Sequence, residues 1–230
     1  MKRPILYGFF IQIKYYIYLI LIILSQNVSS QVVHQIRFLD SLFYAQKLDS
    51  LKQEGFLPNP IDSAYELAVF VALCYYPELK NTQIEFKEQK LRTTCNARPT
   101  IGSTLFRKRA HRKYIIRINN SLTDSVIQLK NAPLNAQIGL FGHELAHIRD
   151  YENRNIFQIM DRLFSRFSKR RLAIFEKEID RMTITNGLGW QLFDWSDFVL
   201  NKSCASAKYK KFKQEIYLQP NEIKNLMDSH

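Results

Sequence analysis

The stretch Gly142-His143-Glu144-Leu145-Ala146-His147 constrains this chain more than any other, because it reads HExxH. Residues four apart on an α-helix stack one turn above the other on a single face. The spacing therefore predicts a helix on which His143 and His147 aim two imidazole nitrogens at one point, an arrangement that suits a tetrahedral cation. Two of the chain's five histidines fall in this window. Ile138, Phe141, Leu145 and Ile148 make an apolar stripe, and both histidines point the other way, unlike histidines packed in a core. Asn135 is an N-cap candidate just after Pro133, and Ala136, Gly139, Gly142 and Ala146 are small enough to let neighbours approach closely.

Glu144 lies about 100° round the helix from His143, so its carboxylate can reach a water at the metal without competing as a ligand. That is where a hydrolase keeps its general base. Two histidines leave a catalytic zinc incomplete. The metzincin pattern would need Gly and His where Asp150 and Asn153 stand, so it fails here. The other source is a downstream helix. Glu176-Lys177-Glu178-Ile179-Asp180 reads ExxxD, with Glu176 and Asp180 one turn apart. Glu176 can complete a His, His, Glu set, and Asp180 can accept the spare N–H of a histidine. Glu178 is a rival ligand, since sequence alone does not fix which face of this helix meets the metal. Glu176 is preferred because only it has an acid one turn later. The same acids also suit a solvated face paired with Lys177 and Arg181.

HExxH followed by ExxxD resembles the gluzincin branch of zinc metallopeptidases, which includes thermolysin-like and prenyl-protease-like enzymes, and is similar to small exported bacterial zincins. The match spans roughly residues 135 to 190, about a quarter of the chain. By that resemblance one zinc ion is held by His143, His147 and Glu176, Glu144 is the catalytic base, Asp180 orients a histidine, and the reaction is peptide-bond hydrolysis. The family also supplies a transition-state stabiliser from Tyr or His. Tyr151, one turn beyond His147, is the nearest candidate. A packing tyrosine is the plainer reading, and it is left out of the site.

The amino terminus points to export. Lys2 and Arg3 precede an apolar run from Tyr15 to Leu24, too short for the roughly 20 residues that span a bilayer but suited to a signal peptide, with Val28-Ser29-Ser30 offering small residues for cleavage. Residues 1–30 are read as a signal peptide, or as an N-terminal membrane anchor if uncleaved, and 31–230 as a single domain, periplasmic or extracellular. Cys74, Cys95 and Cys204 leave a Cys74–Cys95 bridge and three buried thiols equally open. The net charge of +12 falls to +9 without Lys2, Arg3 and Lys14. In the basic runs at 107–113 and 162–171 no aromatic residue alternates regularly with the charges as a base-stacking platform would require, and export makes nucleic acid a poor partner, so none is expected. A solvated basic surface, with affinity for an anionic membrane or envelope surface or an acidic substrate, is the expectation.

Along the chain, Ile36, Leu39 and Phe43 start a helix to about Gln53, broken by Gly55 and the prolines at 58 and 60. Asp62 caps a second, very apolar helix stopped by Pro77, with Leu67, Phe70, Val71 and Cys74 as core. Alternation at Ile84 and Phe86, at Leu91, Thr93 and Cys95, and over Tyr114–Ile118 predicts strands, with a short fourth from Val126 to Leu129. By resemblance the Tyr114–Ile118 strand could be an edge that pairs with extended substrate; an internal strand is equally open. A basic amphipathic helix from Asn155 to Phe167, the ExxxD helix ended at Asn186-Gly187, an aromatic group of Trp190, Phe193, Trp195 and Phe198, and a closing helix at 220–227 follow. The expected fold is α+β and mostly helical, a zincin-like domain with a small twisted antiparallel or mixed sheet ahead of the HExxH helix. The expected function is that of a zinc metalloendopeptidase acting on protein or peptide. The alternative is an exported zinc-containing binding or structural module without turnover.

Overall fold

Three strands that alternate buried and exposed side chains form the sheet: β1 (Gln83–Gln89), β2 (Cys95–Pro99) and β3 (Lys113–Asn119). These belong to a computed structural model that describes residues 35–53, 63–121 and 127–229. The leader at 1–30, the break at 55–60, the Asp62 cap and Val126 lie outside the described residues. The strand order is β1-β3-β2, with β1 parallel and β2 antiparallel to β3. One side of the sheet buries Ile84, Ala97, Tyr114, Ile116 and Ile118. The other carries Glu85, Lys87, Asn96, Arg98 and Arg117.

β3 is therefore the central strand, not an edge, and the expectation that Tyr114–Ile118 receives substrate is overturned. Tyr-Ile-Ile-Arg-Ile is the most apolar and β-branched of the three strands, and such a segment gains most where neighbours cover both of its edges. β2 starts later than its alternation suggests, because Leu91 to Thr94 form a bend in which the Leu91 N–H donates to Asn119 Oδ1 at 2.8 Å. Leu129 sits in a 3-10 turn (Leu129–Asn131) rather than a fourth strand.

Helices pack on the apolar side of the sheet. α1 (Ser41–Gln53) begins later than the apolar spacing from Ile36 suggests, where Asp40 Oδ1 accepts the Phe43 N–H at 3.0 Å. Leu48 is its buried contact, while Leu42 and Phe43 are exposed. α2 (Ser63–Cys74) buries Phe70 and Val71 but leaves Cys74 exposed at its end. All three cysteines are free thiols and only Cys95 is buried, so neither cysteine expectation holds in full. α3 (Ile101–Phe106) follows β2.

α4 (Leu134–Glu152) carries HExxH and is buried without interruption from Ala136 to Ile148. Its apolar stripe and its histidine face both meet protein, which places it at the centre of the domain. Pro133, not Asn135, precedes its first turn. Asn135 is drawn into a polar network instead, bonded to Asp194 and accepting from Gln191 Nε2 at 3.1 Å. α5 (Ile156–Phe164) starts with a capping box between Asn155 and Gln158. α6 (Lys169–Thr183) starts where the Ser168 side chain accepts the Arg171 N–H.

At Gly187 the backbone turns through φ 93°, in the left-handed region that glycine enters without strain, and α6 gives way to α7 (Gly189–Asp197). α7 then crosses α4 in backbone contact: a Cβ on Gly139 would lie 2.0 Å from the Gln191 carbonyl oxygen. α8 (Ala207–Ile216), absent from the sequence expectations, and α9 (Pro220–Asp228) close the domain. No described helix is long and apolar enough to cross a membrane.

Candidate metal centre

α4 and α6 face each other across the histidine side of HExxH. Tyr76 fixes α4 at the motif by donating its hydroxyl to the Gly142 carbonyl at 2.7 Å. Phe175 of α6 sets its ring edge against His147, with centroids 5.1 Å apart. Helical spacing does the rest: His143 and His147 sit one turn apart on α4, and Glu176 and Asp180 one turn apart on α6.

The result is a buried convergence. His143 Nε2 and His147 Nε2 each lie 3.2 Å from the same oxygen, Glu176 Oε2. The ligand atoms of all three residues lie within 4.8 Å of one another, and this group could hold a metal ion. Asp180 Oδ1 accepts from His143 Nδ1 at 2.8 Å, leaving Nε2 for the shared point. The other Asp180 oxygen takes the backbone N–H of Leu218 at 2.8 Å, so the segment after α8 is tied to the same carboxylate.

Electrostatics match the geometry. Burial alone would keep His143 neutral, but hydrogen bonds and charge from Asp180 and Glu176 outweigh it and raise its pKa to about 10. Burial would likewise raise Glu176, yet His147 and His143 hold its carboxyl well below the usual range. A proton thus supplies positive charge at the point where a cation would supply it, and metal binding would displace that proton.

Glu178, the rival ligand, does not join the group. Its carboxylate pairs with Arg162 at 2.6 Å on the far side of α6. Arg162 also reaches Asp150 at 3.4 Å, Lys169 pairs with Glu215, and Arg171 pairs with Asp161. The basic run at 162–171 is therefore partly neutralised. Arg112, taken with the solvated charges, is buried and donates to the Arg154 carbonyl at 2.8 Å and the Tyr151 carbonyl at 3.3 Å, at the end of α4.

A cleft opens on the His143 side of the group, with Glu144, Asp180, Trp195, Lys213 and Tyr217 among its walls. Its cavity volume is about 30 Å³, room for about two waters. Glu144 Oε2 is buried here without a hydrogen-bond partner among the described residues. Tyr151 is not among the cleft residues: it is buried, with its ring nearly parallel to that of His147. Trp195 serves both as core and as cleft wall.

The sequence reading missed Lys213 and Tyr217. Their signal was the i, i+4, i+8 series Tyr209, Lys213, Tyr217, which puts a lysine in the middle of an aromatic helical stripe. Tyr217 sets its ring 5.6 Å from that of His143. Burial, with the charges of Glu176, Glu144 and Asp180, pushes its phenol well above the usual range and keeps it a donor.

No protein-family model, curated protein or solved structure matches this chain.

Proposed function

We propose that this protein is an exported, gluzincin-type zinc metallopeptidase whose zinc is held by His143, His147 and Glu176. The observation that carries the proposal is the meeting of both HExxH imidazoles with one α6 carboxylate, beside a cleft into which an unpaired Glu144 is set. The donors suit zinc. Tetrahedral zinc with bonds of about 2.0–2.1 Å needs neighbouring ligand atoms about 3.3 Å apart; both His–Glu contacts are 3.2 Å, and the three donors together lie within 4.8 Å, so the two imidazoles would draw together on the ion. A His, His, Glu set leaves a fourth position for chemistry, unlike the closed sulfur-rich sites that only support folding.

Zinc, when bound, supplies Lewis acidity that polarises the scissile carbonyl and eases ionisation of water. The chain's own groups do the remainder. Glu144 takes a proton from the attacking water and delivers it to the leaving amine. Its burial beside the cleft suits a base that must accept and then release a proton. Asp180 holds the His143 ring in the tautomer that presents Nε2. Tyr217, rather than Tyr151, is placed to donate to the developing oxyanion, because it lines the cleft and stays protonated. β2 is an unpaired edge of the described sheet and supplies Cys95 to the cleft, so it takes over the peptide-binding role first considered for β3.

The test is zinc-loaded full-length protein against a fluorogenic peptide library. Glu144→Gln should retain one zinc per chain and lose about 10²- to 10⁴-fold in kcat/KM. Cleavage undiminished in Glu144→Gln, or a zinc-loaded wild type that cleaves no peptide, would leave the binding or structural module as the better account.

A further inference from the structure

Lys213 is a buried cation in the cleft wall, 9% exposed, and no carboxylate among the described residues lies within ion-pair distance of it. Its ammonium sits 3.8 Å from the centroid of the Tyr217 ring and 5.7 Å from that of Tyr209. Ring faces return only part of what an unpaired cation loses on leaving water. Glu144 does not close the gap: it lines the same cleft, but its buried oxygen has no partner among the described residues either.

Much of the remaining wall is apolar, with Leu192, Trp195, Val199 and Leu200. An anion entering this space would be stripped of water beside the ammonium, where a charge pair is strong. The nearest charges on the sheet are positive too. By strand register Arg98 and Arg117 are diagonal neighbours on the outer side of the sheet, and neither forms an ion pair among the described residues. Arg166 adds a third guanidinium that repels both. Arg117 is near enough to Cys95 and Glu144 of the cleft to interact with them through charge, which favours an anion there.

We infer that Lys213 receives a carboxylate of the substrate, so that the cleft selects peptides with an acidic side chain or a free C-terminal carboxylate next to the bond to be cut. The inference rests on the peptidase reading and gives it a substrate class.

The experiment measures binding first. Zinc-loaded full-length Glu144→Gln protein, which should hold peptide without turning it over, is titrated with acetylated heptapeptides that differ only by Glu or Gln at one position, each with a free or amidated C terminus. At least about tenfold tighter binding of the charged member is expected, since a desolvated charge pair exceeds the 1.4 kcal/mol this represents. A position-dependent Glu/Gln ratio identifies a side chain, and a free/amide ratio identifies the chain end. Adding Lys213→Met should bring the ratio close to one, and Lys213→Arg should restore most of it. Ratios within about twofold for every pair, or a ratio that survives Lys213→Met, overturn the inference. Turnover by the wild type is scored separately. Charged peptides bound with these ratios but never cleaved would sink only the peptidase reading, and cleavage without any ratio would sink only the role of Lys213.

Discussion

Asp180 accepts from His143 Nδ1 at 2.8 Å while its second oxygen holds the Leu218 N–H, also at 2.8 Å. One carboxylate thus orients the His143 ring and anchors the segment that carries Tyr217. Asp180→Asn keeps the shape and removes the charge, and should weaken zinc binding about 10- to 100-fold in competition with a chelator. Asp180→Ala should also cost about 1–3 kcal/mol of stability, because the Leu218 N–H is left unpaired. Unchanged zinc affinity in Asp180→Asn would remove its orienting role.

Glu176 and Glu178 are two residues apart and have opposite surroundings. Glu176 is buried between two imidazoles, and Glu178 is an exposed partner of Arg162. Metal analysis after dialysis at micromolar free zinc should find about one zinc per chain in wild type and Glu178→Ala, and little in Glu176→Ala. Glu178→Ala should lose under about 1 kcal/mol of stability, as exposed ion pairs do. Equal zinc in wild type and Glu176→Ala would overturn the ligand assignment.

Chelation separates the same variants by heat. Zinc at 100 times its Kd stabilises a folded site by about 2.7 kcal/mol. The wild type should therefore melt several degrees lower in excess chelator, and Glu176→Ala should melt at the same temperature with and without it. A wild type indifferent to both zinc and chelator in thermal unfolding would argue against the site.

The candidate site was legible in sequence because its parts are local: two i, i+4 pairs on helices obey fixed angles, so HExxH and ExxxD announce their faces. Glu176 was preferred over Glu178 because Asp180 follows it one turn later, and it is Glu176 that meets the imidazoles while Glu178 pairs with Arg162; what sequence could not show was that partner, sixteen residues earlier in the chain. The place of β3 was not legible either, because alternation marks a strand without naming its neighbours. Helix α8 escaped notice because its lysines mask the buried face of Tyr209, Lys213 and Ile216. The mostly helical fold with a small mixed sheet followed directly from where the period of two begins and ends.

Gly139 owes its identity to α7. An added methyl would meet the Gln191 carbonyl oxygen at 2.0 Å and the Leu192 nitrogen at 2.7 Å, both backbone atoms within a packed helix pair. No side-chain rotation relieves that. Gly139→Ala should cost about 3 kcal/mol, the upper end of ordinary overpacking, despite its gain in helix propensity. Gly102→Ala is the control, with nothing within 4 Å of its added carbon. Urea unfolding of both variants checks the contrast, and equal stabilities would show that α4 and α7 do not approach this closely.

Glu222 gives the stability a pH dependence of definite sign. Burial alone would raise its carboxyl, but the Gln219 N–H at 2.7 Å and the Lys177 ammonium at 3.0 Å hold it below the ordinary value of 4.5. A depressed carboxyl stabilises the fold fully above its unfolded pKa, and that contribution fades as pH falls through the lower folded value. Wild type should therefore exceed Glu222→Gln in stability near pH 7 and lose the advantage as pH falls below the carboxyl's ordinary value of 4.5 and through its lower folded one. The difference should be under about 1 kcal/mol, because the side chain is 40% exposed and solvent screens the pair. Denaturant unfolding across that range measures it, and a gap that does not narrow in acid would mean that the carboxyl is not held down. The contact reaches the candidate metal centre, since Lys177 neighbours Glu176 on α6 and Glu222 opens α9. Loosening it should also weaken zinc retention slightly, by less than the Asp180→Asn exchange does.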